Sequence, residues 1–497
     1  MHKKIALLGG RVHTPFGIAE ALLVEGGRIA EIGSAGSLHR DGAEVFDLKG
    51  RTVFPGFSDA HMHLVSWMES QELLNLNPCR SIEDLKAVLS RHILEHPLPE
   101  GEWYKGCGLD QTFIGQMPNR RDLDELSLHN PVVLTCACGN VASVNSVAVK
   151  MLGITPDTSI EGGFVELDED GIPSGVLSDA AVRYVYDRIP CLEDSSMLRL
   201  LEKYGPLAAS LGLTTLNSDD MDMFGYDFRR AIDFYINAKK DGILPFRVRQ
   251  QFSLPSRELL LDFLSEGWRT GDGTPFFQAG PLKLICGGDS QETCDMVIHK
   301  QDELNDLIFM AHSSGMQVAV HAIEEDSLEM CLNAFEAAQA TSPKITRHQI
   351  MNALANDSQL DRMKKLGIGT IIQLNDQNMT GERRWKTMLK KGIAISAGSD
   401  APAGDLNPLC GIHAAVTGGE SDEKLSVAEA LSLYTWCSAW HEGNEKRRGE
   451  IVAGRDADLV ILEEDPFLTP ASDLHKIGVA MTICGGRVTY MRDDIGY

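Results

Sequence analysis

The residues most able to do chemistry are Asp59, His61 and His63, which follow an apolar run from Val53 and a Pro55-Gly56 break at spacings of two. In a β-strand, residues i, i+2 and i+4 project from one face, so this short segment would aim a carboxylate and two imidazoles at one point. That is how a metal site begins. Alone, the pair is a weak signal, because 15 His in 497 residues give roughly 0.45 His-x-His pairs by accident. Its weight depends on whether later strands supply further ligands.

Further strand-like runs occur at 213–217, 246–252, 282–286, 317–321, 347–351, 369–373 and 393–400, each followed by a helical pattern or a loop. With the first, they number eight. The apolar spacing within 302–311 and 360–366 predicts helices between them. The fold class expected is α/β, a (β/α)8 TIM-like barrel. About 150 residues separate the first two strands, far more than one βα connection needs, so a large insertion follows strand 1. Its boundaries are read as about 70–205, with a β-hairpin at 162–177, and its exit from the first strand would let it cover the active-site face as a lid. Short β-like runs at both ends (1–54 and 441–497) are too few to form a core separately, so the termini are expected to combine into one small β-sandwich. The barrel would then occupy 55–440.

In such a barrel the C-terminal strand ends line the active site, which makes a polar residue in or closing an apolar strand informative. His61 and His63 close the first strand, Lys283 lies in the fourth, His321 closes the fifth, His348 sits in the sixth and Asp400 closes the eighth. Each has an ordinary alternative: a solvated histidine after a core strand, a buried or ion-paired lysine, or an aspartate capping a turn. Their shared placement on successive strands is what raises them above chance.

The composition limits the function classes. Lys+Arg 46 against Asp+Glu 71 gives a net charge of −25, which repels phosphate backbones and anionic lipid, so no nucleic-acid or membrane partner is expected. Gly9-Gly10 and Arg11 interrupt the first apolar run before signal-peptide length. Eleven Cys without a repeated spacing read as reduced cytosolic thiols, placing the chain in the cytoplasm. Cys136-Ala137-Cys138 is read as core strand. The sequence leaves open whether copies assemble into a homo-oligomer.

On Pro55 through Leu64, Val144-Asn145-Ser146, Gly398-Ser399-Asp400-Ala401-Pro402 and Gly449 through Leu462, the chain resembles the amidohydrolase superfamily, and within it the YtcJ-like metal-dependent hydrolases. The resemblance implies that His61 and His63 bind one metal, that His321 and His348 bind another or complete the same site, and that Asp400 binds metal and handles the proton of the attacking water. It aligns Lys283 with a family lysine whose carbamylation would bridge two metals. The implied cofactor is a divalent cation, one ion or two, with zinc suited to imidazole and carboxylate ligands. Such an ion makes hydroxide available near neutral pH and polarises a carbonyl.

Several positions depart from the family pattern. Glu324-Glu325 stands where Gly-Asp is usual after His321-Ala322-Ile323, Arg347 replaces an acid before His348, Gly287-Gly288-Asp289-Ser290 replaces Asp-Gly-Ser, and Asn140 replaces a histidine. Family substrates therefore do not transfer. The expected activity is metal-dependent hydrolysis of a non-peptide, amide-type C–N bond in a small molecule. The alternatives are deamination of a ring amine at a single metal, and a catalytically silent binding or regulatory protein on the same barrel.

Overall fold

The computed structural model describes residues 4–286, 299–343, 346–374, 383–419 and 422–493. Gly287-Gly288-Asp289-Ser290 lies outside them. Eight parallel strands follow one another in a single sheet: β1 (Phe57–Met62), β2 (Leu213–Ser218), β3 (Arg247–Ser253), β4 (Phe277–Ile285), β5 (Val318–His321), β6 (Gln349–Met351), β7 (Gly369–Gln373) and β8 (Ile395–Gly398). Just beyond the strand ends, the first and last are joined where Asp400 N donates to His61 O at 2.9 Å and His63 N donates to Ala401 O at 2.8 Å. This close approach requires glycine at 398, since a Cβ there would lie 2.7 Å from His61 N. The expected (β/α)8 barrel is present.

Alternation along the strands sorts side chains between two cores. Val318, Val320, Ile350 and Ile372 join the large buried cluster that includes the helices, whereas Ala319, Met351 and Ile371 form a small separate cluster with Ala60. The second group faces the barrel interior. His321 and Gln373, two residues beyond Ala319 and Ile371, share that inward direction.

The covering helices are set by local signals. In Phe228–Lys240, Asp227 caps the first turn, two lysines close the last, and Phe228, Ala231, Ile232, Tyr235 and Ala238 recur at helical spacing to bury one face. Asp357–Leu366 starts with a reciprocal Asn356/Gln359 capping box and stops at Gly367, whose φ of 66° suits a residue without a Cβ.

The termini do combine. One sheet runs in the order Arg487–Met491, Val479–Cys484, Leu459–Leu462, Thr52–Pro55, Arg11–Thr14, Gly17–Ala19, mixing strands from both ends of the chain. A second, built from Ile5–Leu8, Ala21–Glu25, Arg28–Gly33 and Glu44–Asp47, packs on it through Leu7, Val12, Phe46, Val53, Ile461 and Ile483. Barrel and sandwich belong to one compact unit, formed by the described residues up to Met68 and from Leu192 onward.

Residues Glu69–Cys191 form a compact unit of their own. Its sheet includes the antiparallel hairpin Gly163–Leu167 with Pro173–Asp179, where the sequence predicts one. No helix among the described residues is long and apolar enough to cross a membrane.

Candidate metal centre

β1 does not keep strict alternation. Leu216 pairs with Asp59 and Ser218 with Met62, so between these pairs Asn217 alone of β2 faces both Ala60 and His61 of β1. The bulge redirects the strand end, a device common beside active sites. Asp59 therefore does not share the aim of the histidines. Its carboxylate accepts from the backbone N–H groups of His61 and Ser399 at 3.0 and 3.1 Å, tying β1 to the end of β8. Burial pushes this carboxyl up to about 7. The common aim expected for all three residues holds for the histidines alone.

His61 and His63 turn toward one carboxylate. Their Nε2 atoms lie 3.3 and 3.4 Å from Asp400 Oδ1. Among the described residues, these three make the group of His, Cys, Asp or Glu side chains that converges closely enough to hold a cation. The outer nitrogens are committed elsewhere. His61 Nδ1 lies 3.0 Å from Gln251 Oε1, and His63 Nδ1 lies 2.6 Å from the carbonyl oxygen of Asp219. Both partners are oxygen acceptors, so each Nδ1 carries the proton and donates, leaving the Nε2 lone pairs aimed at the carboxylate. Two lone pairs facing an anion repel it unless positive charge sits between them. The donor set therefore fits a divalent cation.

A proton on Nε2 can stand in for the cation, and with one there the same groups attract instead of repelling. Burial opposes ionisation of Asp400, yet the hydrogen-bonding His61 and His63 hold its carboxyl well below the usual range. Burial lowers His63, but Asp400 and Asp219 raise it to about 9. His61, more deeply buried and beside Lys283, is lowered. Asp400 adopts a left-handed conformation, φ 54°, which aspartate tolerates better than most residues.

Lys283 points inward from β4, because Leu282 and Leu284 on either side join the helix-covered core. Its Nζ lies 3.5 Å from Asp219 Oδ2, and Ser253 Oγ donates to the same carboxylate at 2.9 Å. His321 sits beside the cluster but outside the converging three, and burial with the neighbouring Lys283 lowers it to about 4.

The structure does not bring His348 to this site. It shares its direction with Ile350 and faces the helices, stacked 4.8 Å from Phe335 with its Nε2 2.9 Å from His312 Nδ1. Val318 N donates to its Nδ1 at 3.0 Å, which puts it level with the start of β5, whereas His321 closes that strand. Three residues of strand separate the two levels, roughly 10 Å.

The residue just beyond β6 is instead Asn352, buried at φ 59° with an Oδ1 that has no hydrogen-bond partner among the described residues. Gln251 on β3, Gln373 closing β7 with its amide donating to Asp400, and Asp219 just after β2 complete a set that sequence reasoning alone misses. A signal exists for three of them: Asp219, Asn352 and Gln373 each close an apolar strand with a polar residue.

Comparison with known proteins agrees with this architecture. The amidohydrolase family model matches residues 44–490. The chain is 31% identical to the putative amidohydrolase YtcJ of Bacillus subtilis (strain 168), over 95% of this chain and 96% of that protein. It is 27% identical to the N-substituted formamide deformylase of Arthrobacter pascens, over 95% of each. A solved metal-dependent hydrolase from Pyrococcus furiosus superposes with a TM-score of 0.78 at 26% identity, covering 93% of this chain and all of that one. With a match spanning sandwich and barrel alike, the chain belongs to the amidohydrolase family.

Proposed function

We propose that this chain hydrolyses an amide-type, non-peptide C–N bond of a small molecule, with a divalent cation, zinc by ligand chemistry, held by His61, His63 and Asp400. The observation that carries the reading is the convergence of two imidazole Nε2 atoms on one carboxylate, with both Nδ1 atoms fixed by Gln251 and Asp219. The name of the Arthrobacter pascens relative, a deformylase of N-substituted formamides, supports the bond class.

When bound, the cation supplies an acidified water and a Lewis acid for the substrate carbonyl. The chain's own residues do the rest. Asp400 takes a proton from the attacking water and delivers it to the leaving nitrogen, which becomes a better leaving group as it gains that proton. Gln373, donating to Asp400, holds the carboxylate in place. Lys283 and His321 stand beside the reacting centre and complete its polar wall. His348 is left out of the ligand set because it lies among the helices.

A second reading, deamination of a ring amine at a single ion, draws support from the Lys283–Asp219 pair. A carbamate on Lys283 would set two anions side by side, so this pairing favours one ion and an unmodified lysine. The two readings separate on substrate and product: an N-substituted amide yields an amine with a carboxylic acid, whereas an aminated ring yields free ammonia with the hydroxylated ring.

The test is zinc-loaded protein against a panel of N-substituted formamides, other small amides and aminated heterocycles, with anomalous scattering at the metal edge. An ordered ion away from His61, His63 and Asp400 sinks the metal assignment. Turnover that survives Asp400→Asn sinks the proton role.

A further inference from the structure

The Cys136-Ala137-Cys138 segment is not wholly core strand. Cys136 is the last residue of the strand Val132–Cys136 and is buried, but Cys138 lies past the strand end and is exposed. Both lie in the turn that leads into the antiparallel strand Val141–Val144, where Gly139 takes φ 76° and donates to Cys136 O at 3.1 Å. This turn brings the sulfurs to 3.1 Å of each other. Val141 N donates to Cys136 Sγ at 3.1 Å, so the buried sulfur already has a donor able to steady negative charge. The backbone N–H of Asn140 and the Cys136 thiol both lower the Cys138 thiol, whereas burial raises Cys136. The exposed sulfur is thus the more nucleophilic at neutral pH, and the buried one stands in contact behind it. That is the division between an attacking and a resolving thiol.

We propose that Cys136 and Cys138 form a reversible dithiol–disulfide couple that reacts with low-molecular-weight disulfides. Cys138 thiolate attacks one sulfur of the incoming disulfide, forming a mixed disulfide and releasing the first small thiolate. Cys136 thiolate then attacks Cys138 Sγ, forming the internal bond and releasing the second. The two protein thiols are oxidised, the small disulfide is reduced to two thiols, and the two protein protons end on the released thiolates. Closing a ring across a single intervening residue confines the backbone, so the bond is readily reduced again, as strained disulfides are.

The experiment incubates the full chain with glutathione buffers of stepped oxidised-to-reduced ratio, quenches in acid, and measures the mass of the peptide spanning residues 136–138. The wild type is expected to lose two hydrogens from this peptide as the ratio rises and to regain them in dithiothreitol. Cys136→Ser should instead accumulate glutathione on Cys138, Cys138→Ser should do neither, and Cys107→Ser, at the exposed thiol on the neighbouring strand opposite Thr135, should behave as wild type. Cys136 is buried, so Cys138→Ser decides the question if Cys136→Ser fails to fold. Stable glutathione on Cys138 in the wild type, an unchanged peptide mass across the series, or loss of the effect in Cys107→Ser would overturn the proposal.

Discussion

The two ends of the barrel are both polar, yet they are built on opposite terms. At the C-terminal end, two imidazoles aim at one carboxylate and Asn352 Oδ1 has no partner among the described residues. In the N-terminal half, Ser58 donates to Glu442 at 2.6 Å, Asn217 Nδ2 reaches the same carboxylate at 3.1 Å, and Arg249 donates through both Nη atoms to Asn217 and Gln317, its Nε alone lacking a partner among the described residues. His348 and His312 belong to this second kind. Val318 N–H donates to His348 Nδ1 and His312 Nε2 lies 2.5 Å from Ser342 O, so His348 Nε2–H can donate to His312 Nδ1 and the pair is satisfied when both rings are neutral. Buried polar groups that close on one another hold a fold together, whereas groups that converge without closing are arranged for something that binds.

The sharpest way to break this contrast is at Asp400. Asp400→Asn keeps the volume and removes the charge, and is expected to lower turnover by about 10²–10⁴-fold while thermal unfolding stays close to wild type. Bound metal, measured by elemental analysis after dialysis, should fall together with activity. A variant that unfolds instead would place Asp400 with the structural polar groups.

The opposite outcome is expected of His348→Ala. Val318 N–H would lose its partner, at a cost of about 1–3 kcal/mol where a buried group is left unsatisfied, while His312 Nδ1 keeps Thr346 Oγ1 at 3.0 Å, with metal content unchanged. The pair also sets a pH dependence. Burial, with His312 adding to it, holds His348 down to about 3, and burial likewise holds His441 to about 3. Unfolded histidine titrates near 6.5, so between about 3 and 6.5 the unfolded chain binds more protons and stability falls as pH falls. Each neutral buried histidine contributes up to about 1.4 kcal/mol per pH unit across that window. Denaturant melts of wild type and His348→Gln from pH 7 to pH 4 check this, and a variant as acid-sensitive as the wild type would refute it.

The intermediate case is Gln251, which touches His61 from outside. Gln251→Leu removes the acceptor that fixes the His61 tautomer, and is expected to weaken metal binding by about 10–100-fold with a smaller effect on stability. Competition with a chromophoric chelator measures it, and unchanged affinity would mean that the ring is positioned by packing alone.

How much of this is legible in the sequence depends on which physical signal each residue carries. The strands are visible because short apolar runs alternate with helical periodicity, and His61, His63 and Asp400 are visible because they close such runs. Facing is not visible. In β6 both Ile350 and Met351 are buried, one toward the helices and one toward the barrel axis, and a parallel strand apolar on both sides offers no pattern to tell them apart. His348 therefore reads as inward when it shares the direction of Ile350. The bulge in β1 is hidden for a related reason: an extra residue leaves no trace in composition, yet it separates Asp59 from the histidines. Gln251 and the Asp219 carbonyl act through contacts between residues more than 150 positions apart, which no local pattern encodes.

The smallest expected effect is at Asn352, and its sign decides to which kind of end this residue belongs. Its left-handed φ of 59° and its buried Oδ1, unpartnered among the described residues, both cost stability. Glycine accepts that φ without strain and removes the stranded oxygen, although it gives up backbone entropy in the unfolded chain. For Asn352→Gly these terms nearly cancel or leave a gain, so unfolding free energy should change by no more than about 1 kcal/mol, with stabilisation the favoured direction. If Oδ1 is held open to accept a hydrogen bond from substrate, kcat/KM should fall at the same time, with the loss seen mainly in KM and metal content unchanged. Stability and activity would then move in opposite directions, as expected where a strained residue is kept for function. A variant that loses several kcal/mol would show that Asn352 supports the barrel through its amide, and the open end of β6 would belong with the closed networks at the other end.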